Sequence, residues 1–355
     1  MATFYSLVCE NGSAGTYWSG LTATQKLRYG PAGSERVYPS ITGFRDALLA
    51  SLVDFAAAEV CEIAEAFTDS FASRLSFSGV LRGLILITPS VNGVTTSAYH
   101  GGVPGGGYVL NVLNNGDGGY NSTTIYMPKL GIIEGIDIFV EDGGYNRGGV
   151  SGYSRSLVDR CIIRKSGTPD VTNSAGYVNS SFAILANSLI YGFGTGLSFN
   201  RYSPGRVVNS TIVKNYRGAS FQYDANTIND GIYNTIIAGN ITTNWSTYQP
   251  TGLEAALNNA GESTDGFICD TGVNTAIVID PATAFVNFAN DNFRLSTGSL
   301  LIDGGFEYYG KAFAVDIANN PRPNYDPTGS ELFDVGCYEY DHGNGLAPTT
   351  VTVEI

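Results

Sequence analysis

Two aspartates, Asp117 and Asp142, each open the same pentapeptide, Asp-Gly-Gly-Tyr-Asn, with an offset of 25 residues. If that offset is one turn of a stacked β-coil, their carboxylates stand about 5 Å apart, near the separation a retaining glycosidase uses for its acid and its nucleophile. A second reading needs no chemistry. Asp-Gly-Gly is turn sequence, in which Asp bonds the backbone and Gly supplies positive φ, and one coil's turn recurs one coil later. The repeat is therefore taken as scaffold, with no catalytic residue assigned; Asp117 and Asp142 become acid and nucleophile only in an enzymatic alternative. Asp159, Arg160, Arg164 and Lys165 form a second charged group, of the type a lyase uses for proton abstraction. Adjacent strand residues face opposite ways, so Asp159 and Arg160 read instead as a solvent-facing ion-paired corner. Two histidines, His100 and His342, leave few options for a triad or a histidine metal site. No phosphate-loop, dinucleotide or EF-hand pattern occurs. Neither a cofactor nor a metal is expected.

The scaffold is legible as a beat. Short triplets recur at Asp137-Ile138-Phe139, Cys161-Ile162-Ile163, Ser188-Leu189-Ile190, Thr211-Ile212-Val213 and Thr235-Ile236-Ile237, with offsets of 24, 27, 23 and 24. Periods in this range mark a solenoid, and coils of this length accommodate about three short strands with their turns. Asn187, Asn209 and Asn234 precede successive triplets, where asparagine suits left-handed backbone and side-chain bonds to neighbouring turns. Helical repeats would need long runs of 3.6-residue periodicity, and none follows residue 66. Several Asn-x-Ser/Thr sequons, at Asn121, Asn179, Asn209 and Asn240, follow from this composition.

Before the beat, Ser40 precedes Ile41, Phe44, Leu48, Leu49 and Leu52, which predicts a short amphipathic helix capping the open end of the first coil. Residues 1–38 are polar, Gly-rich and dotted with aromatics, and read as an extended arm or an irregular cap. The expected division is therefore an arm over 1–38, a capping helix and first strand over 39–66, the solenoid over 67–300 and a closing segment over 301–355.

That closing segment departs from the period in recognisable pieces: Asn292-Phe293-Arg294-Leu295, Ile302-Asp303-Gly304-Gly305, Asn320-Pro321-Arg322-Pro323, and Asp334-Val335-Gly336-Cys337-Tyr338-Glu339-Tyr340. Pro321 and Pro323 lack the N–H of a central strand, so the chain leaves the ladder there. Arg294, Asp303, Asp334 and Glu339 are suited to fasten a terminal loop to the last coil. The pieces resemble the end of bacterial and phage proteins of the pectate-lyase-like superfamily. Cys337 stands where that pattern has Ala, and Leu300 where it often has Pro. The resemblance and the period together imply an all-β fold, a right-handed single-stranded parallel β-helix with an N-terminal capping helix and an irregular closing segment.

Composition narrows the partners. A net charge of −13 with 14% charged residues argues against nucleic acid, which needs a basic stripe. No apolar run approaches the length of a membrane span. The first residues carry neither a basic start nor an apolar stretch, so no secretory signal is expected. Five separated cysteines without CxxC spacing imply no metal knuckle, their odd number suggests a reducing compartment, and Cys161, inside a repeat triplet, reads as a buried free thiol. The function expected from these readings is a phage virion structural protein: a capsid decoration or cement protein, homotrimeric, bound to the major capsid protein. Phe4, Tyr5, Tyr17, Trp18 and Tyr29 are its expected anchors. The alternative is a tailspike-like polysaccharide depolymerase, or a glycan-binding adhesin.

Overall fold

The computed structural model describes residues 2–342 apart from 51–53, 73–74, 78–81, 114–121, 128–129, 143–146, 153–154, 171–173, 180–181, 200–204, 222–230, 246–254, 258–259, 263–276, 306–312, 323 and 326–330. Among these residues the chain winds through three parallel sheets of ten, nine and seven strands. One coil shows the path. Gly131–Glu134 lies in the first sheet, Asp137–Val140 in the second and Arg147–Ser151 in the third, and Leu157–Asp159 then returns to the first. The fold is a parallel β-helix.

The register explains the beat. Asp137 pairs with Ile162, Ile162 with Leu189, Leu189 with Thr211 and Thr211 with Ile236, so like positions stack coil upon coil. The structural offsets are thus 25, 27, 22 and 25, slightly different from the triplet offsets, because Cys161, Ser188 and Thr235 belong to the corner before the strand. Ser122 pairs with Arg147 just beyond the two pentapeptides, at the same offset of 25 as the pentapeptides.

The corner between the first and second sheets is made by two residue types. Asn187, Asn209 and Asn234 sit at φ 44°, 47° and 47°, left-handed as their type favours, and Arg160 takes the same slot at φ 51°. The following residue forms a polar ladder. Cys161 N–H donates to Ser188 Oγ at 3.1 Å and Ser188 N–H to Ser210 Oγ at 3.3 Å, while each hydroxyl donates to the carbonyl two residues back, Ser188 to Ala186 and Ser210 to Val208. These bonds satisfy polar groups that the turn would otherwise bury unpaired. Asn209 is fully buried; its sequon is a by-product of the corner motif.

Inside, Ile138, Ile163, Ile190, Ile212 and Ile237 of the second sheet line one continuous core with Val158, Leu185, Val207 and Ile232 of the first. The third sheet approaches closely because Gly149, Gly176, Gly196 and Gly218 enter its strands. A Cβ on Gly149 would stand 2.5 Å from Cγ2 of Ile163, and one on Gly218 would stand 2.5 Å from Cγ2 of Ile237. Each isoleucine therefore packs against bare backbone.

The predicted helix forms at Ile41–Ala50, with Ser40 Oγ accepting from the Gly43 N–H at 3.0 Å. Ile41, Phe44 and Leu48 close the foot of the core against Leu75 and Phe77. The arm before it is built into the fold. Ala2–Val8 pairs in parallel with Asp54–Ile63 and extends the first sheet, with Val37–Tyr38 beyond it.

The described residues of 281–342 extend along the flank. Phe285, Phe293, Leu295, Leu301, Ile317, Val335 and Cys337 cover the outward side chains Ile162, Leu189, Val213 and Ile236 of the second sheet. That is why the triplets read as unbroken apolar runs: Leu189, Ile190 and Tyr191 are all buried, on two faces.

Candidate functional site

Of the charged residues singled out in the sequence, Asp142, Asp159, Arg160, Arg164 and Lys165 lie at the second sheet and its neighbouring corners. Asp137 is fully buried. Both its oxygens lie 3.0 Å from Nε of Arg164, and Oδ2 accepts the Gly105 N–H at 2.6 Å. The guanidinium lies 4.2 Å from the ring centre of Phe139, one coil below, a cation over an aromatic face. Burial pushes the Asp137 carboxyl above its usual range, against the pull of Arg164. One strand position on, Lys165 Nζ reaches Asp142 Oδ1 at 3.3 Å, and Ser166 Oγ takes the Asp142 N–H at 2.7 Å. Asp142 therefore ties two coils together. Its partner in the enzymatic alternative, Asp117, lies outside the described residues.

Arg160 ends in a second cluster. Its Nε meets Asp159 at 2.9 Å, its Nη2 meets Glu134 at 2.7 Å, and its Nη1 donates to Asn319 of the flanking segment at 3.2 Å. Asp159 and Arg160 are an ion-paired corner, but not the solvent-facing one expected: Asp159 is buried, and Arg160 lies against Asn319. His100 locks the loop beneath. Its Nδ1 accepts the Gly102 N–H at 2.8 Å, so Nε2 carries the proton and donates to the Arg160 carbonyl at 2.7 Å. Burial depresses its pKa to about 4 and leaves the ring neutral. The same loop holds the flank through Tyr99 Oη to the Ile317 carbonyl, at 2.6 Å, and Tyr338 Oη to the Gly102 carbonyl, at 2.7 Å. His342 lies at the far end of the flank, 3.2 Å from Asp303.

In the closing segment, Arg322 and Glu339 pair at 3.0 Å with side chains 0% and 1% exposed. Arg322 Nη2 also donates to the Gly336 carbonyl at 2.7 Å, and Asp334 accepts the N–H groups of Asp303 and Tyr340. Burial pushes the Asp334 carboxyl up to about 6. These charges fasten the segment to itself, while its backbone is tied to the solenoid by the Gly336 N–H to the Asn234 carbonyl at 2.8 Å and the Cys337 N–H to Thr211 Oγ1 at 3.1 Å. Gly336 comes so close to Ile236 and Thr211 that a Cβ there would meet Thr211 Oγ1 at 2.9 Å. Arg322 is the partner that sequence reading left out; its signal was an arginine held between prolines.

The arm's aromatics differ in availability. Trp18 is 7% exposed and Tyr29 1%, packed with Leu7, Cys9 and Ala64. Tyr29 Oη donates to Glu62 at 2.6 Å, and Arg28 grips the same carboxylate at 2.7 and 3.0 Å while lying 3.4 Å from the Tyr5 ring centre. Tyr17 is partly buried beside them. Phe4 is 41% exposed. Cys9, Cys61, Cys161 and Cys337 are buried free thiols, and burial raises Cys9 to about 11 and Cys337 to about 12. Among the described residues no group of acidic, histidine and cysteine side chains has metal-site geometry, and no helix is long and apolar enough to cross a membrane.

No family model matches this chain, and no curated protein matches its sequence.

Proposed function

We propose that this is a virion structural protein, a phage capsid decoration or cement protein whose β-helix stands as a rigid knob on the shell. One observation carries the reading. The buried carboxylates Glu59, Glu62, Asp137, Asp159 and Glu339 each face an arginine, and Asp69, Asp316 and Asp334 each accept backbone N–H groups. Such an arrangement uses its charges to hold coils, arm and flank together. The partner in this reading is the major capsid protein, and self-association to a homotrimer goes with it. Contact at the foot is supported by Phe4, Leu27 and Leu49, which are 41%, 65% and 46% exposed.

Deleting the arm is a poor test, because Ala2–Val8 is a strand of the first sheet. The protein is instead added to shells that lack it, and stoichiometric recovery after sedimentation is expected. Leu27→Asp with Leu49→Asp is expected to weaken recovery while leaving the circular dichroism unchanged. A wild-type protein that stays in the supernatant at micromolar shell concentration would remove the proposal. If host capsule or lipopolysaccharide instead gains new ends, and Asp142→Asn abolishes them, the depolymerase reading replaces it.

A further inference from the structure

Alternation predicts polar residues on the solvent side of a half-exposed strand. The first sheet breaks that rule in one stretch. Leu86 pairs with Ile132, Ile132 with Leu157 and Leu157 with Ile184, which stacks four large aliphatic side chains on four successive strands. Their sequence neighbours Ile87, Ile133, Val158 and Leu185 fill the core, so these four face outward, and none joins a buried apolar cluster. Two residues earlier on the chain, Leu130 and Phe182 widen the stripe, 43% and 59% exposed. Both are held at positive φ, 57° and 64°, a conformation unfavourable for bulky residues. The equivalent row of the third sheet is mixed, running Tyr126, Ser151, Val178, Ser198 and Ser220, with no run of aliphatic side chains.

The protein covers its other apolar outer surface itself, with Phe285, Phe293, Leu295, Leu301, Ile317, Val335 and Cys337 over the second sheet, and among the described residues the arm packs at the foot of the first. We propose that the stripe on the first sheet is where a second copy of this chain packs. This inference rests on the self-association included in the reading above and names its surface. The occupant follows from spacing and charge. Rows about 4.8 Å apart, running about 14 Å from Leu86 to Ile184, are matched along their length by a surface with the same repeat. Another β-helix supplies one. Each copy carries a net charge of −13, so copies repel over most of their surface. Along the same face the strands continue to Glu134 and Asp159, both paired with Arg160, whereas Arg155 and Arg206 at the edge of the stripe are exposed cations, and Arg206 continues the row directly after Ile184. An acidic neighbour is attracted there. The aliphatic rows form the dry centre of the contact, with the polar rest of the face as its rim.

The test is the association state of the full chain, by sedimentation velocity over a range of concentrations. Wild type is expected to sediment as an assembly, and Leu157→Lys with Ile184→Lys to weaken association at least a hundred-fold with an unchanged circular dichroism spectrum. Ser198→Lys on the third sheet is expected to leave it intact. A wild-type monomer at the highest concentration would overturn both the self-association and the surface. An assembled wild type whose folded double variant assembles equally well would overturn the surface alone. Should the double variant unfold, Phe182→Asp, which lies in an exposed turn, takes its place with the same two outcomes.

Discussion

Arg322 and Glu339 show what a buried pair does at the scale of one residue. With both side chains out of water, removing one partner leaves the other charge stranded, a loss of about 3–5 kcal/mol. Arg322→Met is therefore expected to lower the denaturation midpoint sharply, and Arg322→Met with Glu339→Leu to recover part of the loss. An unchanged midpoint in the single variant would show that the pair is not a fastening. His100 offers a pH test. Its folded pKa is near 4 against an ordinary 6.5, so the unfolded chain takes up the proton first as pH falls. Its contribution is complete above about pH 6.5 and is lost towards pH 4, on the order of 2–3 kcal/mol. Asp334, raised to about 6 by burial, works in the opposite direction over part of that range. The comparison is therefore between wild type and His100→Gln, whose stability difference should change between pH 7 and pH 4.5. A constant difference would refute the assignment. In the sequence His100 was only one histidine in a glycine-rich loop; its partner lies 60 residues away.

At the scale of the element, the glycines of the third sheet decide how thin the solenoid can be. Gly218→Ala would set a Cβ 2.5 Å from both Ile237 Cγ2 and the Asn244 carbonyl. Backbone there cannot move without shifting the ladder, so a loss of about 1–3 kcal/mol is expected. The double variant Gly218→Ala with Ile237→Val, which removes a methyl group from that side chain, should show by thermal unfolding how much of the loss is the clash. The helix at Ile41–Ala50 was legible because its cap and its apolar spacing agree. The glycine ladder was not read, because its offsets, 27, 20 and 22, are uneven, and single glycines occur throughout a chain with so many turns. The Asn-Ser and Asn-Thr corners were half legible. Asparagine's preference for the left-handed region is local, whereas the ladder of hydroxyls after it exists only once coils are stacked.

For the whole molecule, the flank matters most. The described residues of 281–342 cover an outer face that would otherwise present Ile162, Leu189, Val213 and Ile236 to water. A chain ending at residue 280 is expected to bind hydrophobic dyes and aggregate, while the full chain does neither. A truncated protein that stays soluble and silent to such dyes would mean that the face tolerates exposure. The flank also restrains the loop carrying Tyr99 and His100, so the variants of Tyr338 that lose its hydroxyl should loosen both together. Closure against the last coil was the expectation for this segment. Its apolar residues have no such target on the page of the sequence, since nothing local reveals which face of a strand is left open.

The sequence by itself determined the parallel β-helix. Period, turn residues and apolar triplets are local properties that recur, and recurrence at about 25 residues has few structural solutions. The same locality identified the helix at the foot and the burial of Cys161. Tertiary structure decided the rest: that the arm supplies a strand, that the described part of the closing segment lies along the second sheet, and that the first sheet turns a row of aliphatic side chains outward. Those outcomes depend on which of two strand faces meets a distant segment. An apolar side chain reads the same in the sequence whether it fills the core, lies under a flank or faces another molecule.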